Sequence, residues 1–271
     1  MLLVCSKSTR KFLPNFDRVK VISEASTTDI LKLENSEENV VAIGGGAVID
    51  TAKILSRNPI ISYPTTASGS TATSWSVYWD GPKKHSLKRV KPQTPIFQEE
   101  FCRELPKNVI NDTIIDVVSH CLDSDSSIKS NDESRSYTKE AIKLLNKGIN
   151  KDVYRDVMEA GHLAGKAIEI TGTNLLHSLS YPLTGHYKIS HGTALGFILK
   201  YLAQLYNIDF DFKKYINPIV DFTNVESFEQ LSLKIKNIVD EAYTYDKIKE
   251  STLNIQSEEV TNKILNYAWI S

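Results

Sequence analysis

The chain has 271 residues, of which 41% are hydrophobic and 24% charged, and its formal net charge is −1. That composition is typical of a globular protein with one large or two medium domains, and the balanced charge excludes nucleic-acid or membrane-surface binding driven by bulk charge. No apolar run approaches the roughly 18 residues that cross a bilayer. Cys5, Cys102 and Cys121 are widely spaced and predict neither a disulfide framework nor a thiolate metal site. A cytoplasmic location without nucleic-acid or membrane partners is therefore expected.

Short apolar segments in the N-terminal part predict the strands of an α/β sheet. They are residues 2–4, 19–22, 40–43 and 59–63, and polar, turn-rich or helix-compatible stretches separate them. Such a rhythm is typical of parallel strands joined by crossover connections. The later stretch "SVYWDGPKKHSLKRV" alternates in character around Asp80-Gly81, which predicts a β-hairpin.

Helical periodicity dominates the chain after Pro106. "DESRSYTKEAIKLLNKGI" and "DVYRDVMEAGHLAGKAIEI" place apolar residues three and four apart, as amphipathic helices do. The change of texture predicts a boundary near residue 108. An α/β domain is expected over residues 1–108 and a helical domain over residues 109–271.

A glycine turn follows the third predicted strand in "VVAIGGGAVIDTAK". Gly44, Gly45 and Gly46 would let the backbone approach a pyrophosphate closely, and the helix that follows would offer free N–H groups and a positive dipole end. The spacing is not GxGxxG, so a tight strand-to-helix turn without a ligand is an equally good interpretation of this motif alone.

A loop rich in hydroxyl groups, "YPTTASGSTAT", follows the fourth predicted strand. Its side chains suit hydrogen bonds to phosphate or ribose, although alone the loop is more typical of a surface turn. Two such loops at strand ends, within about 25 residues of each other, favour a nucleotide site.

Asp116 and His120 lie four residues apart in a predicted helix, so both side chains share one of its faces. An isolated pair of this kind more often forms a hydrogen bond at a helix surface than a metal site. His177 and His191 offer two further imidazoles. One carboxylate and three imidazoles would suit Fe(II) or Zn(II) and leave a coordination position open for a substrate oxygen.

The order of these four motifs, over roughly residues 40 to 200, resembles the iron-containing alcohol dehydrogenase family, which shares a superfamily with glycerol dehydrogenases and dehydroquinate synthases. The resemblance implies the dehydroquinate synthase-like fold: a Rossmann-like α/β N-terminal dinucleotide-binding domain, an all-α C-terminal metal-binding domain and a cleft between them. It implies a NAD(P)-linked alcohol dehydrogenase or aldehyde reductase for a small aldehyde, dependent on Fe2+ or alternatively Zn2+. A homodimer or larger homo-oligomer is implied as well.

The resemblance also assigns roles position by position. The matching positions are Gly44, Gly45, Gly46 and Asp50 for the pyrophosphate loop, Thr65, Thr66 and Ser70 for the hydroxyl loop, and Asp116, His120, His177 and His191 for the metal ligands. Tyr181 stands where many members carry a second histidine one helical turn after the third ligand, which indicates a distinct subgroup. Thr71 stands where a glutamate is common.

The remaining histidines have less defined roles. His186 lies between the last two ligand positions in "LTGHYK" and is the candidate catalytic residue, as a proton relay or substrate contact. A hydrogen-bonded structural histidine is an equally weighted alternative. His162 is expected to pack within its helix, and His85 to be solvated in the hairpin.

The residues after the first predicted strand bear on the choice of cofactor. Many NAD-using relatives have an aspartate there, positioned for the ribose diol, whereas this chain has Ser6, Lys7 and then Arg10. Hydrogen-bond donors in place of a carboxylate would accommodate a 2′-phosphate. NADPH is therefore the expected cofactor, with NADH also accepted.

Two segments, "SVYWDGPKKHSL" and "HSLSYPLTGHYKISHG", are similar to the phosphonoacetaldehyde reductase branch of the family. A phosphonate substrate would need cationic partners, and Lys83, Lys84, His85 and Lys88 are candidates if the hairpin reaches the cleft. A basic hairpin is more often simply solvated. Three other functions stay open: a general small-alcohol or polyol dehydrogenase, a dehydroquinate-synthase-like lyase that uses NAD transiently, and a metal- or nucleotide-binding relic.

Overall fold

The computed structural model begins with a parallel sheet of four strands, β1 (Leu2–Ser6), β2 (Arg18–Ile22), β3 (Val40–Gly44) and β4 (Ile61–Pro64). The structure describes residues 1–13, 15–103, 105–150, 154–206, 209–219, 225 and 227–268. The strand order is β2-β1-β3-β4, and Leu2 pairs with Arg18 on one side and with Val40 on the other. Each predicted apolar segment overlaps one of these strands.

The central strands are buried on both faces. Leu2 and Val4 of β1 pack into one apolar cluster, whereas Leu3 and Cys5 pack into another, because successive side chains of a strand point to opposite sides of the sheet. Burial on both sides explains why these strands are continuous apolar runs and not alternating ones.

Helix α1 (Gly46–Leu55) follows the glycine turn at once and covers one face of the sheet. Strands β5 (Trp75–Asp80) and β6 (Lys83–Lys88) then form the predicted antiparallel hairpin. Gly81 has φ +54°, the left-handed backbone that a two-residue hairpin turn requires.

Helices prevail from Lys107 onward. They are α2 (Lys107–Asp125), α3 (Asp132–Asn150), α4 (Tyr154–Thr171), α5 (Leu175–Tyr187), α6 (His191–Leu202), α7 (Phe228–Ala242) and α8 (Ser257–Ala268). Their apolar faces form one large core that includes Val117, Leu179 and Ile198, all with 0% exposure. The predicted boundary near residue 108 falls in the first turn of α2. The expected succession of an α/β part and a helical part is confirmed.

Helix α4 packs directly on the hydroxyl loop between β4 and β5. A Cβ atom on Gly161 would lie 2.3 Å from the carbonyl oxygen of Ala67, and one on Gly165 would lie 2.6 Å from that of Gly69. Only glycine permits so close an approach of helix and loop backbone. The contact brings the α/β and helical parts together along one seam. Within the described residues, no helix has the length and apolarity to cross a bilayer.

Candidate metal and nucleotide site

A cavity of about 720 Å3 lies between the α/β part and the helices. Its wall includes the start of α1, the hydroxyl loop, the hairpin and the helices α2 and α5. The cavity therefore collects, on one surface, most of the segments that the sequence singles out.

The glycine turn and the hydroxyl loop are adjacent in space. A Cβ atom on Gly45 would lie 2.9 Å from Thr66 Oγ1, and one on Gly46 would lie 3.1 Å from Ser70 Oγ. Gly46, Thr66 and Ser70 all line the cavity. Backbone N–H groups at the start of α1 and hydroxyl groups of the loop thus face one space, an arrangement suited to phosphate oxygens.

The other expected nucleotide residues have internal partners. Gly44 accommodates Val48, whose Cγ2 would lie 2.6 Å from an added Cβ. Thr65 is 4% exposed and donates its backbone N–H to the Gly44 carbonyl. Asp50 lies in the cavity wall, but its carboxylate accepts the N–H of Val77 and is 2.9 Å from the Lys53 ammonium.

Ser6 lies at the end of β1 and is not one of the residues that line the cavity. Its hydroxyl is 2.9 Å from the hydroxyl of Thr9 and 3.0 Å from that of Ser8. Thr9 in turn donates to the Ile43 carbonyl at 2.8 Å. This network joins the ends of β1 and β3, beside the glycine turn.

The four predicted metal ligands converge in another part of the same cavity. Helix α2 supplies Asp116 and His120, α5 supplies His177, and α6 begins with His191. The Nε2 atom of each of the three histidines is 3.6 Å from Asp116 Oδ1. The ligand atoms of Asp116, His177 and His191 also lie within 4.8 Å of one another.

The three distances from Asp116 Oδ1 fit a single metal ion. Donor atoms bonded to one ion at 2.0–2.2 Å in tetrahedral geometry are about 3.4 Å apart, close to the 3.6 Å separations. Asp116 Oδ1 and His177 Nε2 are buried and have no hydrogen-bond partner among the described residues. Buried polar atoms are otherwise almost always paired, so the two atoms fit the role of metal ligands.

The protonation of the three imidazoles differs. Burial lowers the pKa of His177, but the carboxylates of Asp116 and Asp123 raise it to about 9, so a metal ion would displace that proton. Burial lowers the pKa of His120 to about 4 and that of His191 well below its ordinary value, so both imidazoles stay neutral, the form that binds metals. Burial raises the pKa of the Asp116 carboxyl, but the surrounding imidazoles lower it by more than burial raises it. The net pKa is below its ordinary value, and the group is ionised.

Asp123 is a candidate site residue that the sequence did not single out. Its Oδ2 atom is 2.8 Å from His177 Nδ1, and its two oxygens accept the backbone N–H groups of Asn174, Leu176 and His177. The carboxylate is fully buried. Carboxylates of this kind fix the orientation and tautomer of a metal-binding histidine. Asp123 is seven residues after Asp116, on the same helix face, and that spacing was the available signal.

The position of His191 depends on the residue after it. A Cβ atom on Gly192 would lie 2.3 Å from the Asp112 carbonyl oxygen, so glycine allows the start of α6 to touch the backbone of α2. The Asp112 carboxylate accepts hydrogen bonds from Ser190 and Thr193 at the same place. The "SHG" sequence thus anchors the fourth ligand position against the helix that carries the first two.

Tyr181 forms the cavity wall beside His191. The two rings are stacked with centroids 6.4 Å apart, and the Lys84 ammonium is 4.0 Å from the centre of the Tyr181 ring. Burial raises the pKa of Tyr181, but Lys84 and Lys247 lower it, and the net value is about 7. Lys84 and Lys247 therefore place positive charge beside the Tyr181 hydroxyl.

The other histidines lie elsewhere. His186 is not among the residues that line the cavity. Its side chain is 44% exposed and its Nε2 is 2.8 Å from Glu241 Oε2, which favours the structural alternative over a contact with the cleft. His162 contacts Thr71 Oγ1 at 3.0 Å across the seam between the two parts. His85 stacks on Tyr78 within the hairpin.

Solved structures with the same fold are iron-containing alcohol dehydrogenases and relatives. One from Thermotoga maritima matches with a TM-score of 0.79 and 21% identity over 100% of this chain and 91% of that chain. A sulfoacetaldehyde reductase from Bifidobacterium kashiwanohense, solved with NAD+, matches with a TM-score of 0.80 and 22% identity, with the same coverage. These likenesses confirm the expected fold class.

Family models identify the chain more closely. Residues 110–260 match the C-terminal part of the Fe-containing alcohol dehydrogenase family, and residues 10–106 match a model described as iron-containing alcohol dehydrogenase. The chain belongs to the iron-containing alcohol dehydrogenase family.

Relatives of known activity differ in their substrates. A NAD-dependent methanol dehydrogenase from Bacillus methanolicus is 28% identical over 60% of this chain and 52% of its own length. A phosphonoacetaldehyde reductase from Streptomyces viridochromogenes is 27% identical over 59% of this chain and 51% of its own. A 4-hydroxybutyrate dehydrogenase from Clostridium kluyveri is 26% identical over 57% and 51%. The chain spans about half the length of these relatives.

Proposed function

We propose that this chain is a metal-dependent, NAD(P)-linked alcohol dehydrogenase or aldehyde reductase that acts on a small aldehyde. The observation that carries the proposal is the convergence of three imidazole nitrogens, each 3.6 Å from Asp116 Oδ1. The same cavity contains the glycine turn and the hydroxyl loop. A hydride carrier and a Lewis acid need to share one cavity for this reaction.

The proposed roles follow from the positions of the residues. Asp116, His120, His177 and His191 would hold a divalent ion, which supplies a Lewis acid for the carbonyl oxygen. Gly46, Thr66 and Ser70 would bind the dinucleotide, the source of the hydride. Asp123 keeps the proton of His177 on Nδ1, so that Nε2 faces Asp116. Tyr181 fixes the wall on the substrate side of His191.

His191→Ala tests the ligand assignment. The variant is expected to lose metal retention and turnover together, since one of four donors is removed and the remaining three bind an open site weakly. Metal content is measured after gel filtration, and turnover as the rate of NAD(P)H oxidation. His186→Ala is the matched control for metal content, because His186 pairs with Glu241 outside the cavity. Full metal content and rate in His191→Ala would reject the assignment.

The cofactor proposed is NADPH, with NADH also accepted. Support comes from the absence of an acidic residue among residues 6–10 after β1, where Lys7 is exposed and Ser6 and Ser8 present hydroxyl groups. The comparison of kcat/KM for the two nucleotides with one aldehyde decides this point. A tenfold preference for NADH would overturn it.

Phosphonoacetaldehyde, reduced to 2-hydroxyethylphosphonate, is the particular substrate proposed. Support comes from the resemblance of the hairpin and α5 segments to that branch, and from the relative of this activity that is 27% identical. The rates with phosphonoacetaldehyde and with neutral aldehydes of similar size distinguish this substrate from a general small-alcohol dehydrogenase. A lyase that uses NAD transiently would consume no NAD(P)H with any of them.

A further inference from the structure

We propose that Lys84 and Lys247 form a binding site for the anionic end of a short substrate, next to Tyr181. The inference rests on the proposed function, because the other end of that substrate would be the carbonyl group at the metal site. It goes beyond that proposal in naming the substrate class and the residues that select it.

The two lysines come from distant parts of the chain. Lys84 lies on β6, and Lys247 lies in the 3₁₀ turn Asp246–Glu250. That turn directly follows Tyr245, whose ring centroid is 5.3 Å from that of Tyr181. Both are half-buried and both line the cavity. The neighbouring hairpin lysines, Lys83 and Lys88, are exposed and are not in the cavity wall. Of the four basic hairpin residues that the sequence offers as anion ligands, only Lys84 reaches the cavity.

The charge balance of the wall leaves these two ammonium groups available. The carboxylates of the wall have other partners: Asp50 with Lys53, Asp112 with Ser190 and Thr193, Glu169 with Ser74, Glu250 with Lys129, and Asp116 with the three histidines. In the described part of the chain, neither Lys84 nor Lys247 forms an ion pair with a carboxylate. A bound anion would give each of these ammonium groups a charge-assisted hydrogen bond.

The position sets the length of the substrate. The Lys84 ammonium is 4.0 Å from the centre of the Tyr181 ring, and that ring is stacked on His191 with centroids 6.4 Å apart. Only one aromatic ring therefore separates the ammonium from a metal ligand. A molecule that reaches both points is short, so the class is an aldehyde or alcohol of a few carbons with a terminal carboxylate, phosphonate or sulfonate.

Binding measurements test the site without turnover. The metal-loaded protein with bound NADPH, which cannot accept a hydride from an alcohol, is titrated calorimetrically with 2-hydroxyethylphosphonate, 4-hydroxybutanoate and the neutral 1-butanol. Lys84→Gln and Lys247→Gln are each expected to weaken the better-bound anionic alcohol by about tenfold or more, the effect of losing one charge-assisted hydrogen bond. Lys88→Gln, an exposed change on the same strand, is the matched control and should keep the parent affinity. Lys84→Arg, which keeps the positive charge, should keep most of the parent affinity.

The two anionic alcohols distinguish a phosphonate from a carboxylate preference. Unchanged anion affinity in both glutamine variants, or an equal loss for 1-butanol, would overturn the inference. The inference would also be overturned if the glutamine variants bound NADPH more weakly and the anionic alcohol as well as before, because the lysines would then bind the cofactor.

Turnover separates this inference from the proposed function. The ratio of kcat/KM for phosphonoacetaldehyde to that for butanal should fall about tenfold in Lys84→Gln and not in Lys88→Gln. Lysine-dependent anion binding without any NAD(P)H oxidation would reject the reductase and keep the anion site. NAD(P)H oxidation with a kcat/KM ratio that is the same in the parent and in Lys84→Gln would keep the reductase and reject the anion site.

Discussion

Single residues decide where the four donor atoms meet, and Asp123 shows how. Helix α2 places Asp116, His120 and Asp123 on one face at intervals of four and three residues. The first two are proposed ligands of the metal ion, and the third holds His177, which belongs to another helix, through a 2.8 Å contact with Nδ1. One helix face therefore supplies two proposed ligands and the support for a third.

Asp123→Asn is expected to weaken metal binding by about 10–100-fold, the usual effect of losing such a support. The amide carries no charge, and only its oxygen can accept hydrogen bonds. It cannot replace both carboxylate oxygens, which accept from His177 Nδ1 and from three backbone N–H groups. The dissociation constant for Fe(II) or Zn(II) is measured by competition with a chelator. Asp125→Asn, whose carboxylate instead accepts from Thr138, is the control on the same helix. Equal affinities in the two variants would show that Asp123 does not support the site.

At the scale of elements, the hydroxyl loop is held by a buried lysine. Lys53 of α1 is 1% exposed, and its ammonium contacts the Asp50 carboxylate and the backbone carbonyls of Ser70, Thr73 and Trp75. A single side chain thus joins the helix after the glycine turn to the loop that lies against it.

Lys53→Met is expected to lower the free energy of unfolding by roughly 3–5 kcal/mol, because it leaves the buried Asp50 charge without its partner. Unfolding in urea measures the change. Lys32→Met is the control, since the Lys32 side chain is 80% exposed and its loss should change stability by less than about 0.5 kcal/mol. Similar stabilities of the two variants would contradict the proposed role of Lys53.

The contact between α4 and the hydroxyl loop makes a second prediction at this scale. Gly161→Ala is expected to destabilise the protein by about 1–3 kcal/mol, because its Cβ would overlap the backbone of Ala67 and neither side can yield locally. Gly196→Ala in α6 is the control, since the nearest atom to its Cβ would be 3.5 Å away, in the Ile216 side chain. That change should be neutral or stabilising by up to about 1 kcal/mol. Thermal unfolding of both variants measures the change in stability. Equal stabilities, or a less stable Gly196→Ala variant, would contradict the prediction.

At the scale of the whole molecule, the seam between the two parts contains a titratable group. Burial lowers the pKa of His162 to about 4 from an ordinary value of 6.5, while its Nδ1 contacts Thr71 of the hydroxyl loop. The unfolded chain binds this proton more tightly than the folded chain. The contribution of the neutral imidazole to stability is therefore complete above about pH 6.5 and is lost as the pH falls towards 4.

His162→Gln should consequently reduce the dependence of unfolding free energy on pH. The difference between the parent and the variant is expected to shrink from pH 7 to pH 4, and urea unfolding at several pH values measures it. His120 and His191 titrate in both proteins, so their contributions cancel in this difference. A difference that stays constant over that range would place the His162 pKa near its ordinary value in the folded state.

Much of this architecture follows from local sequence. The four apolar strands, the hairpin and the change to helices are visible in the pattern, and the ligand positions of α2 follow from helical spacing. The role of Lys247 and the contact of His186 with Glu241 cannot be predicted from the sequence pattern, because they depend on how distant segments meet in the folded chain. The hairpin illustrates the limit: its basic residues are evident in the sequence, but the pleat of β6 decides that Lys84 faces the cavity and Lys83 does not.

The most direct test is the initial rate of NADPH oxidation by the protein after anaerobic reconstitution with Fe(II), with phosphonoacetaldehyde and with butanal as substrates. The metal-free protein and the His191→Ala variant are measured in parallel. The account predicts metal-dependent oxidation with at least one aldehyde, lost in both comparisons. Oxidation at the same rate in the metal-free protein, or none with either aldehyde in the metal-loaded protein, would contradict a metal-dependent aldehyde reductase.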